Sequence, residues 1–132
     1  MQESESKPSG WWSEERVVAL RARGVVIPLP HLVAIADDVL PTALAPRAVL
    51  HPHTRLQGAA TRIDAGAQVG EAGPATVIDS WVGRNAVIGR LGPVTLRRTV
   101  CGPGTVLGSG SAEQAVFLGK EVRDPDFSTG YG

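Results

Sequence analysis

Three histidines and a run of arginines are the residues of this chain whose types could do chemistry. His51 and His53 flank Pro52 in the run LHPHTR (50–55). Residues two apart on a strand project to the same side. On a strand these imidazoles would form a pair, suited to general-base catalysis or to holding a metal. The plainer reading is an exposed polar pair on a wall, and no metal is assigned. Arg84 and Arg90, with Arg97 and Arg98, form a basic group that could grip the phosphate of a sugar nucleotide or of coenzyme A. Alternatively they are solvated or paired with acids. Asp37 and Asp38 are adjacent, so on a strand they would diverge, and a corner turn is expected there. Cys101 is the sole cysteine, and its default role is a small packed residue rather than a nucleophile.

These residues need a scaffold, and the spacing of the aliphatic residues describes one. Val82, Ile88, Val94 and Val100 recur every six positions, as do Leu44, Leu50 and Leu56. Ile63 and Val69 keep the step after a slip of one residue. Six is neither the helical period nor simple strand alternation. It predicts a short parallel β-helix of hexapeptide repeats, an all-β fold in which each short strand is one wall of a coil. Three hexads make a triangular coil of about 18 residues, and successive coils stack at about 4.8 Å. The inward column is expected to include Val82, Ile88, Val94 and Val100. An insertion is expected around 73–80, with Trp81 packing near it or at a subunit contact. Gly102, Gly104, Gly108 and Gly110 fall at turns between hexads, and His31 stands about one coil before the histidine pair. The threonines at 61, 76, 95, 99 and 105 do not follow the regular spacing of a flat threonine ladder.

A helix is expected ahead of the coils, near 13–23. Ser13 is placed as N-cap, Glu14 and Glu15 suit the positive end of the helix dipole, and Trp12 and Val17 have the spacing of a hydrophobic staple. Gly24 is placed to end it, and Val17, Val18 and Leu20 should lie on or near its buried side. Pro28 and Pro30 break the segment that follows into an extended linker. The division expected is a disordered tail over 1–10, helix and linker over 11–31, the β-helix over 32–119 and a C-terminal tail over 120–132.

Composition narrows the function classes. The 132 residues carry 13 basic and 13 acidic side chains, a formal net charge of zero, so a general nucleic-acid or membrane-surface binder is not expected. A single cysteine permits no intrachain disulfide, which suits a reducing cytoplasm. The first ten residues hold no apolar signal core, and no run approaches the length of a membrane span. A cytoplasmic protein is therefore expected.

The stretches VGRNAVIG (82–89) and ALRARGVVIPLPHLVAIADDV (19–39) carry a family resemblance. From Arg21 to Gly119 the chain resembles the β-helical part of UDP-N-acetylglucosamine pyrophosphorylase and glucosamine-1-phosphate acetyltransferase-like proteins. The resemblance implies a left-handed coil and a homo-oligomer, often a trimer. The nucleotidyltransferase domain of such enzymes opens with a Gly-rich nucleotide loop followed by Arg and Lys, and nothing like it occurs here. Their acetyltransferase half uses a histidine in a later coil, and this chain has none after His53. The leading expectation is therefore an oligomerising scaffold, the β-helical portion of a sugar-nucleotide transferase-like protein, inactive as this chain alone. The alternative is an acyltransferase acting on a sugar or sugar nucleotide, with acetyl-CoA as donor, at a subunit interface. His51 or His53 would then be the general base, and Arg84 or Arg90 would bind phosphate.

Overall fold

A computed structural model describes residues 10–126. The expected N-terminal tail and the end of the C-terminal one thus lie almost wholly outside the described residues. Within them the chain winds into a parallel β-solenoid of about five turns, preceded by one short helix. Each turn passes along three walls. The first wall stacks β1 (Ala34–Ile35), β3 (Thr54–Gln57), β6 (Ala75–Ile78), β9 (Val94–Arg97) and the second half of β11 (Val106–Glu113). The second wall stacks β4 (Arg62–Ile63), β7 (Trp81–Val82), β10 (Val100–Cys101) and β12 (Val116–Phe117). The third stacks β2 (Val49–Leu50), β5 (Gln68–Val69), β8 (Val87–Ile88), the first half of β11 and β13 (Val122–Asp126). No helix of the described residues is long and apolar enough to cross a membrane.

The register sets a coil of 19 residues through the middle of the prism rather than 18, with 21 between β1, β3 and β6 and 16 in the last coil. Leu50, Val69, Ile88 and Leu107 stack on one another at the 19-residue interval, as do Ile63, Val82 and Cys101. Cys101 is therefore the inward residue and fully buried, whereas Val100 faces outward and is half-buried. This corrects the expected column at Val100. The physical reason is that every wall turns two residues inward, a small one followed by a larger one. The pairs include Ala86 and Ile88, Val94 and Leu96, Ser80 and Val82, all buried. An aliphatic count sees mainly the second of each pair. Residues 73–80, expected as an insertion, hold β6 and are a full stretch of the first wall.

The corners bend through left-handed backbone. Arg47, Gly66, Asn85, Gly104 and Lys120 recur at the corner between the second and third walls, all with positive φ. The corner from third to first wall is longer in the middle coils, where GEAGP (70–74) and GRLGP (89–93) lie one above the other. One coil later the chain omits three of those positions, and β11 runs continuously round the corner from third to first wall. Residues 122–126, read from sequence as tail, form β13 and pair in parallel with β11.

At the other end, α1 (Glu14–Ala19) starts where expected. The Ser13 hydroxyl accepts from the Arg16 amide at 3.2 Å, and the helix tightens into a 3-10 turn (Leu20–Arg23) ended by Gly24 with φ 96°. Trp12, Val17 and Leu20 are buried in one core with Val25, Ile27 and Val33, so the helix covers the apolar end of the prism. Val18, expected on or near that side, is 39% exposed, because it lies across the helix from the Val17–Leu20 stripe.

Candidate functional site

The corner from third to first wall carries the histidines. β2 ends at Leu50 and β3 begins at Thr54, so His51 and His53 lie on the turn between them and not on a strand. Pro52 and the positive φ of His53 (70°) divide the pair. The His51 Nε2 meets Gln68 Oε1 at 3.0 Å on the third wall. His53 is exposed, and its amide donates to the Leu32 carbonyl at 2.7 Å. The expected side-by-side imidazole pair is therefore replaced by two side chains serving different walls. His31 sits one coil earlier, exposed on a 3-10 turn (Pro30–Leu32). Among the described residues no group of three His, Cys, Asp or Glu side chains is gathered to hold a metal ion.

The two arginines proposed for phosphate do not meet. Arg84 stands on the corner between the second and third walls, where its carbonyl accepts the Gly104 amide at 2.8 Å. Arg90 stands on the corner between the third and first walls, the one His51 and His53 occupy two coils earlier. Arg98 is paired with Glu113. Asp37 and Asp38 form the expected corner: the Asp38 carboxylate accepts the Gly58 amide at 2.9 Å, and Asp37 lies 3.9 Å from Arg16. Trp81 lies on the outer second wall, where its Nε1 donates to Asp64 at 2.7 Å and Arg62 spans both side chains. Cys101 packs in the inward column, and burial pushes its thiol up to about 12. At ordinary pH it is a neutral packing residue, not a nucleophile.

The feature that sequence reasoning missed is Arg55. The outward column of the first wall runs Ala34, Arg55, Thr76, Thr95, Ser111 in direct register. Beside its first three members lies a groove of about 340 Å³, lined by Leu32, Ala34, His53, Thr54, Arg55, Pro74 and Thr76. The Thr54 hydroxyl is committed inward, donating to the Val69 carbonyl at 2.9 Å. The Arg55 guanidinium rests 4.7 Å from the centre of the Trp11 ring. A sequence signal existed in hindsight: once β3 and β6 are aligned, Arg55 and Thr76 share one column two places from His53 and Pro74.

A scan of the sequence against protein-family models and a search of curated proteins give no match.

Proposed function

We propose that this chain is a self-associating scaffold, a β-helical module that holds copies of itself in a closed ring such as a trimer. It would correspond to the oligomerising portion of the sugar-nucleotide transferase-like proteins it resembles. One observation carries the reading. The outward columns of the second and third walls are mostly apolar, while that of the first wall is mostly polar. The third wall shows Val26, Val49, Gln68, Val87, Val106 and Val122 outward, in parallel register. The second wall shows Arg62, Trp81, Val100 and Val116, with Leu118 exposed just beyond. The first wall shows Arg55, Thr76, Thr95 and Ser111.

Strand propensity does not account for the difference. Thr76 and Thr95 satisfy the preference for β-branched residues on the first wall, so valine on the other two adds apolar surface that strand formation does not require. Contiguous exposed apolar surface of this kind marks association. Its placement on two walls that share a corner suits a contact in which one wall of one copy meets the other wall of the next, an arrangement that closes into a ring. The acyltransferase alternative has less support, since Arg84 and Arg90 stand on different corners and His51 is engaged by Gln68.

The test is the absolute mass in solution by light scattering across a range of concentrations. A discrete small oligomer is expected, with Val87→Lys and Val100→Lys each reducing it to monomer while the circular dichroism spectrum is retained. A monomer at every concentration for the unsubstituted chain overturns the reading.

A further inference from the structure

We propose that the groove beside His53 binds a small organic carboxylate, with Arg55 as its anchor. The groove mixes two kinds of lining. His53, Arg55 and Thr76 are the lining residues whose side chains carry donors to offer, while Leu32, Ala34 and Pro74 are apolar. No Asp or Glu lines it. Four exposed arginines meet a carboxylate, Arg16 with Asp37, Arg62 with Asp64, Arg98 with Glu113 and Arg123 with Glu121, while others such as Arg84 and Arg97 meet none among the described residues. Among the described residues Arg55 has no such partner. It stacks instead on Trp11, which limits the freedom of its guanidinium without neutralising the charge. A held guanidinium fork matches a carboxylate with two parallel hydrogen bonds.

The apolar half of the lining decides between oxyanions. Inorganic phosphate has no surface for Leu32, Ala34 or Pro74 to cover, whereas the hydrocarbon body of a short carboxylic acid does. A volume of about 340 Å³ is small for a ligand pocket and suits a molecule of that size. Thr76 adds a hydroxyl donor from the neighbouring strand, in register with Arg55. Thr54, though it lines the groove, is not counted as a donor because its hydroxyl already serves Val69. The site lies on the polar first wall, so it stands or falls independently of the proposed self-association.

The test follows the imidazole proton signals of the full chain by NMR, with butyrate, acetate and inorganic phosphate added separately at constant ionic strength. The chain has three histidines, and the variants His31→Gln and His51→Gln identify the signal of His53. A saturable shift of that signal with butyrate is expected, several-fold tighter than with acetate, since each buried methylene is worth about fourfold in affinity. Arg55→Gln should weaken binding about tenfold or abolish it. Arg97→Gln, on the same wall outside the groove, should leave it unchanged. The proposal is overturned if butyrate shifts the signal no more than chloride does, if Arg55→Gln titrates like the unsubstituted chain, or if phosphate binds at least as tightly as butyrate.

Discussion

Thr105 occupies the inward place that Ala48, Ala67 and Ala86 hold in the preceding coils, and its hydroxyl is buried without a hydrogen-bond partner. A buried unpaired hydroxyl carries its full desolvation cost. Thr105→Val keeps the volume and removes the hydroxyl, so it should raise the unfolding free energy by about 1 kcal/mol, read as a higher urea midpoint at unchanged slope. Thr99 is the opposite case. Its hydroxyl donates to the Arg97 carbonyl at 2.9 Å, in a buried column with Ser80 and Thr61 whose hydroxyls bridge neighbouring coils. Thr99→Val should therefore lower stability by about 1 kcal/mol. Cys101 gives a prediction in pH. Its thiol stays protonated in the fold up to about 12 because burial penalises the thiolate, while the unfolded chain loses that proton near 9.0. Across that interval the native state binds the extra proton, so stability falls as pH rises. Cys101→Val, which fits a column that already contains Ile63 and Val82, should show a shallower decline between pH 9 and 11 than the unsubstituted chain. A thiol reagent at pH 8 should label Cys101 only after denaturant is added.

The coil is held at its spacing by a few glycines for which space, not backbone angle, is the constraint. A Cβ on Gly83 would stand 2.8 Å from the Cys101 carbonyl oxygen and 2.8 Å from the Pro103 nitrogen, both backbone atoms of the next coil. Gly83→Ala would thus have to push two coils apart across a hydrogen-bonded ladder, and a loss of roughly 2–3 kcal/mol is expected. Gly92→Ala is the matched control. Its new Cβ meets only the Ser109 Cβ at 3.5 Å, an ordinary contact, so the change should be neutral or stabilise by up to about 1 kcal/mol. Both are read by thermal unfolding. This spacing also explains what could be read in the sequence. Steps such as Val82 to Ile88 were visible because large aliphatics mark one inward place on a wall. The 19-residue coil was not, because its other inward places hold Ala86, Thr99 and Thr105, which look neutral or polar along the chain. A six-step from Val94 lands on outward Val100, because Val94 is the first inward residue of its wall whereas Val82 and Ile88 are the second of theirs. The helix was legible from Ser13, Trp12 and Val17, whose capping logic is local. The histidine pair departs from strand geometry because Pro52 and the left-handed turn at His53 are corner geometry, and Arg55 carries no local signal because its neighbours Ala34 and Thr76 lie about one coil away in sequence.

At the scale of the whole molecule, the prism has one mostly polar outer column and two mostly apolar ones, and that asymmetry has a thermodynamic consequence. If copies bind through the second and third walls, the folded state is linked to association, and its stability depends on protein concentration. The midpoint of thermal unfolding should rise as the chain is concentrated. For an isolated prism it would stay fixed. Val122 (57% exposed), Val116 (56%) and Leu118 (85%) place the largest apolar exposure toward the last coil. Substitutions there should therefore act more strongly than equivalent ones in early coils: Val116→Lys should abolish the concentration dependence, whereas Val26→Lys at the opposite end should only reduce it. Neither residue faces inward, so at high dilution both variants should unfold within about 0.5 kcal/mol of the unsubstituted chain. A concentration-independent midpoint in the unsubstituted chain would assign the valine columns to strand pairing within one prism, and the scaffold reading would lose its main support.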